Sequence, residues 1–494
     1  MKTFIFSIGA ALMVATAGSA FAADLPSLKS APVYAPPPAF TWTGFYLDAG
    51  AGYGEWNANT TTRLPDTDIC HLCANQIQGG HGFLGRAGAG FDYQFADQFV
   101  AGVFGDGTYS AMRGALQDQE PIWTASTNQN WSWAAGGRLG WLMTPELLVY
   151  GDAGFSQARF TGGSLLNEDG SASGNSTQGF TANGWFAGGG FETMFAPGWF
   201  WRTEYRFADY GAHDVIDDGL AGRGDDIHFH PFVQTVTSSL VYKFGWPGFS
   251  TPGIPSFTQV TDGFGSPPAA TNWTGIYANA GIGYGLWSAN TTTRDPVTDG
   301  CDQCVNQRQG GRGIFGTVGL GYDYQVTNKL VAGVFGDFDP SQLKGTIQDG
   351  GPYFAGSISQ NWAWDAGARL GWLVTPQVLT YTKAGFTQAR FGGTGMQDTH
   401  EGAGTDFSTS GFSTDGWMLA GGVEAEFAPG WFWRAEYRYA QYGVHAIADT
   451  SPTDSQDNIR FHPEEQTATV GLVYKFNWAP PAPPAPPAPV VAKY

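Results

Sequence analysis

"FAPGWFWRTEYRFADYG" spans Phe195–Gly211, and "FAPGWFWRAEYRYAQYG" spans Phe427–Gly443. In an extended strand successive side chains point to opposite faces. Trp201, Thr203, Tyr205 and Phe207 therefore share one face, and Arg202, Glu204 and Arg206 share the other. The aromatic face needs an apolar neighbour, and the charged face needs a polar or mutually neutralising one. No helix or second sheet is legible elsewhere in the chain to cover the rings, so the pair of faces suits a strand with lipid outside and a lumen inside better than a secreted β-sandwich.

The phrase recurs because the whole chain does. Trp42 returns as Trp273, Arg63 as Arg294, Cys70 as Cys301 and Trp131 as Trp362, each 231 residues on; one inserted residue then makes the offset 232. "LVYKF" closes both copies, at Leu240–Phe244 and Leu472–Phe476. Copies this long are not solenoid repeats. Within each, apolar and small or polar residues alternate with period two, which predicts strands. Eight are expected in the first copy, near Gly44–Gly54, Gly82–Phe95, Phe99–Tyr109, Trp131–Leu142, Leu147–Phe160, Trp185–Phe195, Trp199–Tyr210 and Phe232–Phe244. "ADQ", "TPE" and "APG" are tight turns, whereas Asn57–Gln78, Ser110–Asn128, Thr161–Gly179 and Gly211–His230 read as long polar loops. Short turns alternating with long loops is the plan of an outer-membrane barrel.

The same parity sorts the remaining charges. It places Arg86, Asp106, Arg138, Asp152, Glu192, Arg202, Glu204, Arg206 and Lys243 inside the first copy, and Asp337, Asp365, Arg369, Lys383, Glu424, Arg434, Glu436, Arg438 and Lys475 inside the second. Phe83, Phe91, Tyr93, Trp131, Trp133, Trp141, Tyr242 and Phe244 fall outside. Both signs are near balance on the inner face, as a narrow lumen requires, because an unpaired buried charge costs several kcal/mol. The expectation is an ion-pair network plugging each barrel, with inward glycines such as Gly50, Gly52, Gly88 and Gly90 leaving room for long side chains.

Composition agrees with an envelope protein. There are 72 glycines, 15% aromatic and only 14% charged residues, and the net charge of -19 is the wrong sign for a nucleic-acid partner. "MKTFIFSIGAALMVATAGSAFA" reads as a secretory signal, with Lys2, an apolar stretch from Phe4 and small residues at Ala20 and Ala22. After Ala23 no apolar run reaches the roughly 18–20 residues of a membrane helix, so a membrane-spanning reading rests on strands.

The phrases "ADLPSLKSAPVYAPPPAFTWTGFYLDAGAGYG", "GRAGAGFDYQF", "GRLGW", "FAPGWFWRTEYRFADYG" and the closing "LVYKF" resemble the small eight-stranded outer-membrane β-barrels of alphaproteobacteria, OmpA-like in plan and often called porins. The resemblance covers almost all of Phe40–Phe244 and Thr271–Phe476. It implies a surface-exposed protein of the cell outer membrane, with roles in envelope integrity, surface contact or small-solute passage. It also implies outer-membrane lipid and the barrel-insertion machinery as partners, and cell-wall or host-surface contacts. The chain departs from that family in carrying two copies and in following Phe476 with "NWAPPAPPAPPAPVVAKY".

The fold expected is all-β: two tandem eight-stranded antiparallel transmembrane barrels, or alternatively one barrel of sixteen strands. Two barrels are favoured by a linker far longer than a periplasmic turn, by "SPPAATNWTG" echoing "APPPAFTWTG" before each copy, and by a balanced inner charge set in each. The expected layout is a signal peptide at 1–22, a Pro-rich periplasmic segment at 23–39, the first barrel at 40–245, a linker at 246–270, the second barrel at 271–477 and a Pro/Ala-rich tail at 478–494.

Each copy has a C-x-x-C, Cys70/Cys73 and Cys301/Cys304, read as a local loop disulfide of an oxidising compartment. A zinc site would need further ligands, with only His71 adjacent. His213, His228, His230, His445 and His462 gather in or near the fourth loops, where haem or metal capture competes with plain solvated histidines. Glycine runs lie within strands and cradle no phosphate. No catalytic arrangement and no cofactor site stands out. The functional expectation is a structural or surface-interaction protein, with a diffusion porin and a haem- or metal-capturing receptor as alternatives.

Overall fold

In the computed structural model the described residues are 41–63, 70–118, 123–216, 226–244, 272–349, 354–450 and 458–476. The signal, Pro-rich, linker and tail segments expected at 1–22, 23–39, 246–270 and 478–494 lie outside them.

Sixteen long strands carry the architecture. In the first copy they are β1 (Gly44–Arg63), β2 (Cys70–Phe95), β3 (Phe99–Asp118), β4 (Trp123–Thr144), β5 (Leu147–Phe160), β6 (Phe180–Ala196), β7 (Trp199–Asp209) and β8 (Asp226–Lys243). In the second they are β9 (Gly275–Arg294), β10 (Gln309–Gln325), β11 (Leu330–Asp349), β12 (Phe354–Thr375), β13 (Val378–Phe391), β14 (Phe412–Ala428), β15 (Trp431–Tyr442) and β16 (Asn458–Lys475). Shorter strands decorate the long connections. Within each copy the long strands pair antiparallel with their sequence neighbours, and the rings close as β1 on β8, from Tyr46↔Lys243 to Arg63↔Asp226, and β9 on β16, from Tyr277↔Lys475 to Arg294↔Asn458. Closure leaves neither ring an open edge.

The tight turns follow from local chemistry. Ala196 pairs with Trp199 across Pro197–Gly198, and Gly198 has φ +77°. Pro fixes the first turn position and glycine supplies the positive φ of the second; Gly430 repeats this at φ +76°.

The strands run much further on the loop side than the sequence reading placed them. Asn57–Gln78 is largely β1 and β2, with Asn57 paired to Gly79 and Thr60 to Gln76. Polar residues occupy both faces there, so the in/out hydrophobic alternation fades although the hydrogen-bond ladder continues. A second difference concerns Tyr205 and Phe207, which lie on the outward face with Trp201 but are only partly exposed. Phe207 packs edge-on against Tyr284 of the other copy at 5.5 Å.

That contact has a twin. Tyr53 meets Tyr439 at 5.5 Å, and these are the positions equivalent to Tyr284 and Phe207. Equivalent pairs recur throughout the junction. Cys73 N donates to Thr399 O (2.9 Å) and Cys304 N to Glu168 O (2.8 Å). Gln78 Nε2 donates to Gln117 Oε1 (2.7 Å) and Gln309 Nε2 to Gln348 Oε1 (2.5 Å). The two glutamine pairs join through Gln117 Nε2 to Gln348 Oε1 (2.6 Å), and Gln78 pairs with Gln309 as a strand bridge. At the turn end buried Leu147 clusters with its equivalent, Val378. When i meets j′ and j meets i′ the interface is isologous, so the copies are related by a pseudo-twofold axis.

Gln348 is the hinge of the glutamine cluster, since its Oε1 accepts from both Gln117 and Gln309. Gln348→Ala strands two buried amide donors and is expected to cost about 1–3 kcal/mol, read as a lower urea midpoint in lipid vesicles. Gln441→Ala, at a long, part-buried contact to Glu464 of 3.4 Å, is the comparison and should change little.

Candidate functional site

The lumens hold most of the buried charge among the described residues. On the turn side of the first ring, Arg138 Nε donates to Asp92 Oδ1 (2.8 Å) and Nη1 to Glu192 Oε2 (3.1 Å), while its Nη2 also binds Asp92. Arg202 joins Glu192 (2.9 Å) to Asp48 (3.1 Å), and Lys243 joins Asp92 (2.5 Å) to Glu192 (3.1 Å). The Tyr46 ring stands among all three cations, 4.7 Å from Arg138 and Arg202 and 5.0 Å from Lys243. One layer up, Arg86 joins Glu204 (2.5 Å) to Asp106 (3.0 Å), Arg206 joins Asp106 (2.7 Å) to Asp152 (3.1 Å), and the Tyr150 hydroxyl donates to Glu204 (2.7 Å).

The second ring repeats the turn-side layer with Arg369 on Asp323 (2.6 Å) and Glu424 (2.7 Å), Arg434 on Glu424 (2.6 Å) and Lys475 on Asp323 (2.5 Å). Its upper layer is solved differently. Thr317 stands where the first copy has Arg86, and Lys383 stands where it has Asp152. Lys383 reaches from β13 to Asp337 (2.9 Å) and Glu436 (2.7 Å), the equivalents of the two carboxylates that Arg86 bridges from β2. The cation has moved across the lumen while the anions stayed. Arg438 then binds Asp365 (2.8 Å) and Glu465 (3.2 Å). Every charged residue assigned to the lumen by strand parity is thus placed in one of these two networks.

Sequence reasoning passed over Asp48, Asp92, Asp323, Asp339 and Glu465, all buried. Asp92 was within reach, because Phe91 and Tyr93 flank it and point outward. The inward tyrosines were missed too, since tyrosine is equally at home on a lipid-facing belt. Gly90 makes room for one of them and not for an arginine: a Cβ there would sit 2.4 Å from the Tyr46 hydroxyl.

Apolar layers seal the charges at both ends. On the turn side lie Trp42, Tyr46, Val100, Leu142, Leu148 and Phe200. On the loop side lie Trp56, Met112, Phe160, Phe186, Tyr210 and Phe229. The second ring has the matching sets, with Trp273 and Phe432 below and Trp287, Phe391 and Phe461 above. Among the described residues, a cavity of about 40 Å³ lies beside Arg86 and Arg206 in the first lumen and one of about 20 Å³ beside Asp337 and Arg438 in the second. A single water needs ≳10–15 Å³ on that measure, so each of these cavities has room for very few.

The loop motifs have local partners. Cys301 and Cys304 form a disulfide and Cys73 is disulfide-bonded, while the side chains of Cys70 and His71 lie outside the described residues. Each C-x-x-C segment docks on the third loop of the other copy, through the Cys73 and Cys304 amides. His228 pairs with Asp214 (2.8 Å), His230 with Asp209 (2.7 Å), and His213 with the Tyr210 carbonyl (3.1 Å). His445 stacks on Phe412 at 4.5 Å, and burial lowers its pKa. His462 lies in β16 opposite Asn290. Among the described residues no three His, Cys, Asp or Glu side chains converge as a metal would require.

The chain is similar to known outer-membrane proteins. The family described as "Outer membrane protein beta-barrel domain" matches residues 8–244 and again 263–476. The 31 kDa outer-membrane immunogenic protein of Brucella melitensis is 30% identical over 257 residues, covering 49% of this chain and 100% of that one. The 25 kDa outer-membrane immunogenic protein of Brucella abortus is 29% identical over 244 residues, covering 48% and 96%. Among solved structures, the outer membrane protein OprG from Pseudomonas aeruginosa aligns over 41% of this chain and 97% of its own at 14% identity, with a TM-score of 0.31.

Proposed function

The chain belongs to the outer membrane protein β-barrel family and lies in the outer membrane, and from that premise we propose that it is a non-conducting structural and surface-contact component of the cell envelope. The observation that carries this reading is the sealed lumen. Charges fill each ring in paired layers, apolar side chains close both ends, and the cavities among the charged layers, about 20 and 40 Å³, are far smaller than a continuous water column. A diffusion porin keeps an open aqueous path, with charged walls that face water and not each other.

The same layout supports a surface role. Ion pairs and aromatic layers inside the rings, and a junction fastened on the loop side, hold the outer loops in a fixed arrangement. The relatives' names describe them as immunogenic, which accords with loops presented outside the cell. Cell-wall or host-surface contacts belong to this proposal, as does recognition by the barrel-insertion machinery through the closing strands β8 and β16.

The test is electrical. Full-length chain inserted in a planar bilayer is expected to give no stepwise openings. Reproducible single-channel steps that survive removal of contaminating porins would sink the reading and put solute passage in its place.

A further inference from the structure

Between the rings, on their outward faces, lies a cavity of about 1340 Å³. This exceeds the ≈300–1,000 Å³ of ordinary small-molecule pockets. One wall comes from β5–β8 and the other from β9 and β11–β16. It begins near the tight turns, at Phe195 and Lys329, and rises to Tyr205 and Tyr284, where the copies come into contact through Phe207. Its lining is Trp201, Leu370, Trp372 and Val470 interspersed with glycines. The lining Tyr381 and Glu436 turn their polar ends inward, to each other (2.7 Å) and to Lys383, and so leave no carboxylate in the cavity.

The short turns of an outer-membrane barrel face the periplasm, so this cavity stands at the height of the inner leaflet. Water is a poor occupant of an apolar slot, and a protein segment would need its backbone groups satisfied there. Acyl chains need nothing but contact. At the mouth, exposed Lys329 is the only cation among the described lining residues, with its ammonium 5.8 Å from the Trp372 ring. The equivalent residue in the first copy is Gln98, so the charge is not a feature of the repeat.

We propose that the inter-ring cavity is a binding site for one diacyl glycerophospholipid of the inner leaflet, its chains lying along the glycine and aromatic walls and its phosphate held by Lys329. The inference depends on the membrane placement of the chain and is independent of whether the lumens conduct.

Native mass spectrometry of the full-length chain, titrated with dioleoyl phosphatidylglycerol, is the experiment. One lipid should stay bound under activation that strips detergent. Gly421 lies on the cavity wall, and a Cβ there meets nothing nearer than the Tyr381 carbonyl at 3.7 Å. Gly421→Trp should therefore project an indole from the wall into the path of the acyl chains, markedly weaken the adduct and keep the heat-modifiable gel mobility of a folded barrel. Lys329→Gln should lower the bound fraction about fivefold, the contribution of one lysine near an anionic headgroup, while leaving the walls intact. No surviving adduct, an adduct unchanged by Gly421→Trp, or a second protein chain in place of lipid would each overturn the proposal.

Discussion

Replacing Arg138 with methionine is expected to destabilise the first ring by about 3–5 kcal/mol, the usual cost of removing one partner from a buried ion pair. The side chain is buried and binds both Asp92 and Glu192. Its loss leaves Asp92 with Lys243, and Glu192 with Arg202 and Lys243. Those cations cannot follow both carboxylates into the vacated space. Urea unfolding in lipid vesicles, followed by tryptophan fluorescence, should show one transition moved and a second, from the other ring, in place. Arg369→Met should reverse the assignment, because its ion-pair partners Asp323 and Glu424 both belong to the second ring. A double variant, Arg138→Met with Asp92→Leu, should recover part of the loss, since an apolar pair of similar volume avoids the unpaired charge. If the single substitution shifts neither transition, the network does not hold the ring together.

Trp56→Ala should cost a similar amount, about 3–5 kcal/mol for a fully buried tryptophan. The indole is wholly buried under the loops and stands edge-on to Phe160 (6.1 Å) and Phe229 (5.6 Å). Two glycines make its seat: a Cβ at Gly80 or Gly114 would come within 2.4 and 2.1 Å of the ring. Gly114→Val should therefore imitate the tryptophan deletion by expelling the ring from this seat. The check is the boiling temperature at which the compact gel species is lost, with Trp287→Ala as the equivalent change in the second copy. Retention of the wild-type transition in both tryptophan variants would mean that the loop-side aromatic layer does not close the lumen.

These residues also mark what was legible beforehand. Arg138, Glu192 and Arg202 could be assigned inward because aromatic neighbours of opposite parity fixed the faces of their strands. The lower parts of the strands were readable for the same reason. Above the apolar belt the two faces of a strand are both polar, and Asn57–Gln78 looks like a loop although it is hydrogen-bonded ladder. The exchange of Arg86 and Asp152 for Thr317 and Lys383 is visible as letters, yet only the ring geometry makes the two cations bridge equivalent carboxylates. The junction was hidden altogether. Gln78, Gln117, Gln309 and Gln348 read as four scattered polar residues, because nothing local distinguishes a glutamine facing water from one facing its own duplicate.

The isologous junction has a consequence for how the chain can diverge. In an assembly of two separate identical subunits every substitution at the contact appears twice, and association falls away as the protein becomes scarce in the membrane. A tether converts the encounter into an intramolecular one, at an effective concentration set by the tether and not by expression. Each face can then change alone. Position 81 is histidine and binds Ser288 (2.9 Å), whereas its equivalent, Arg312, stacks on Phe232 (4.0 Å) and binds Asn59 (3.0 Å). The tandem repeat thus works as a heterodimer of fixed stoichiometry, free to present two different surfaces from one insertion event.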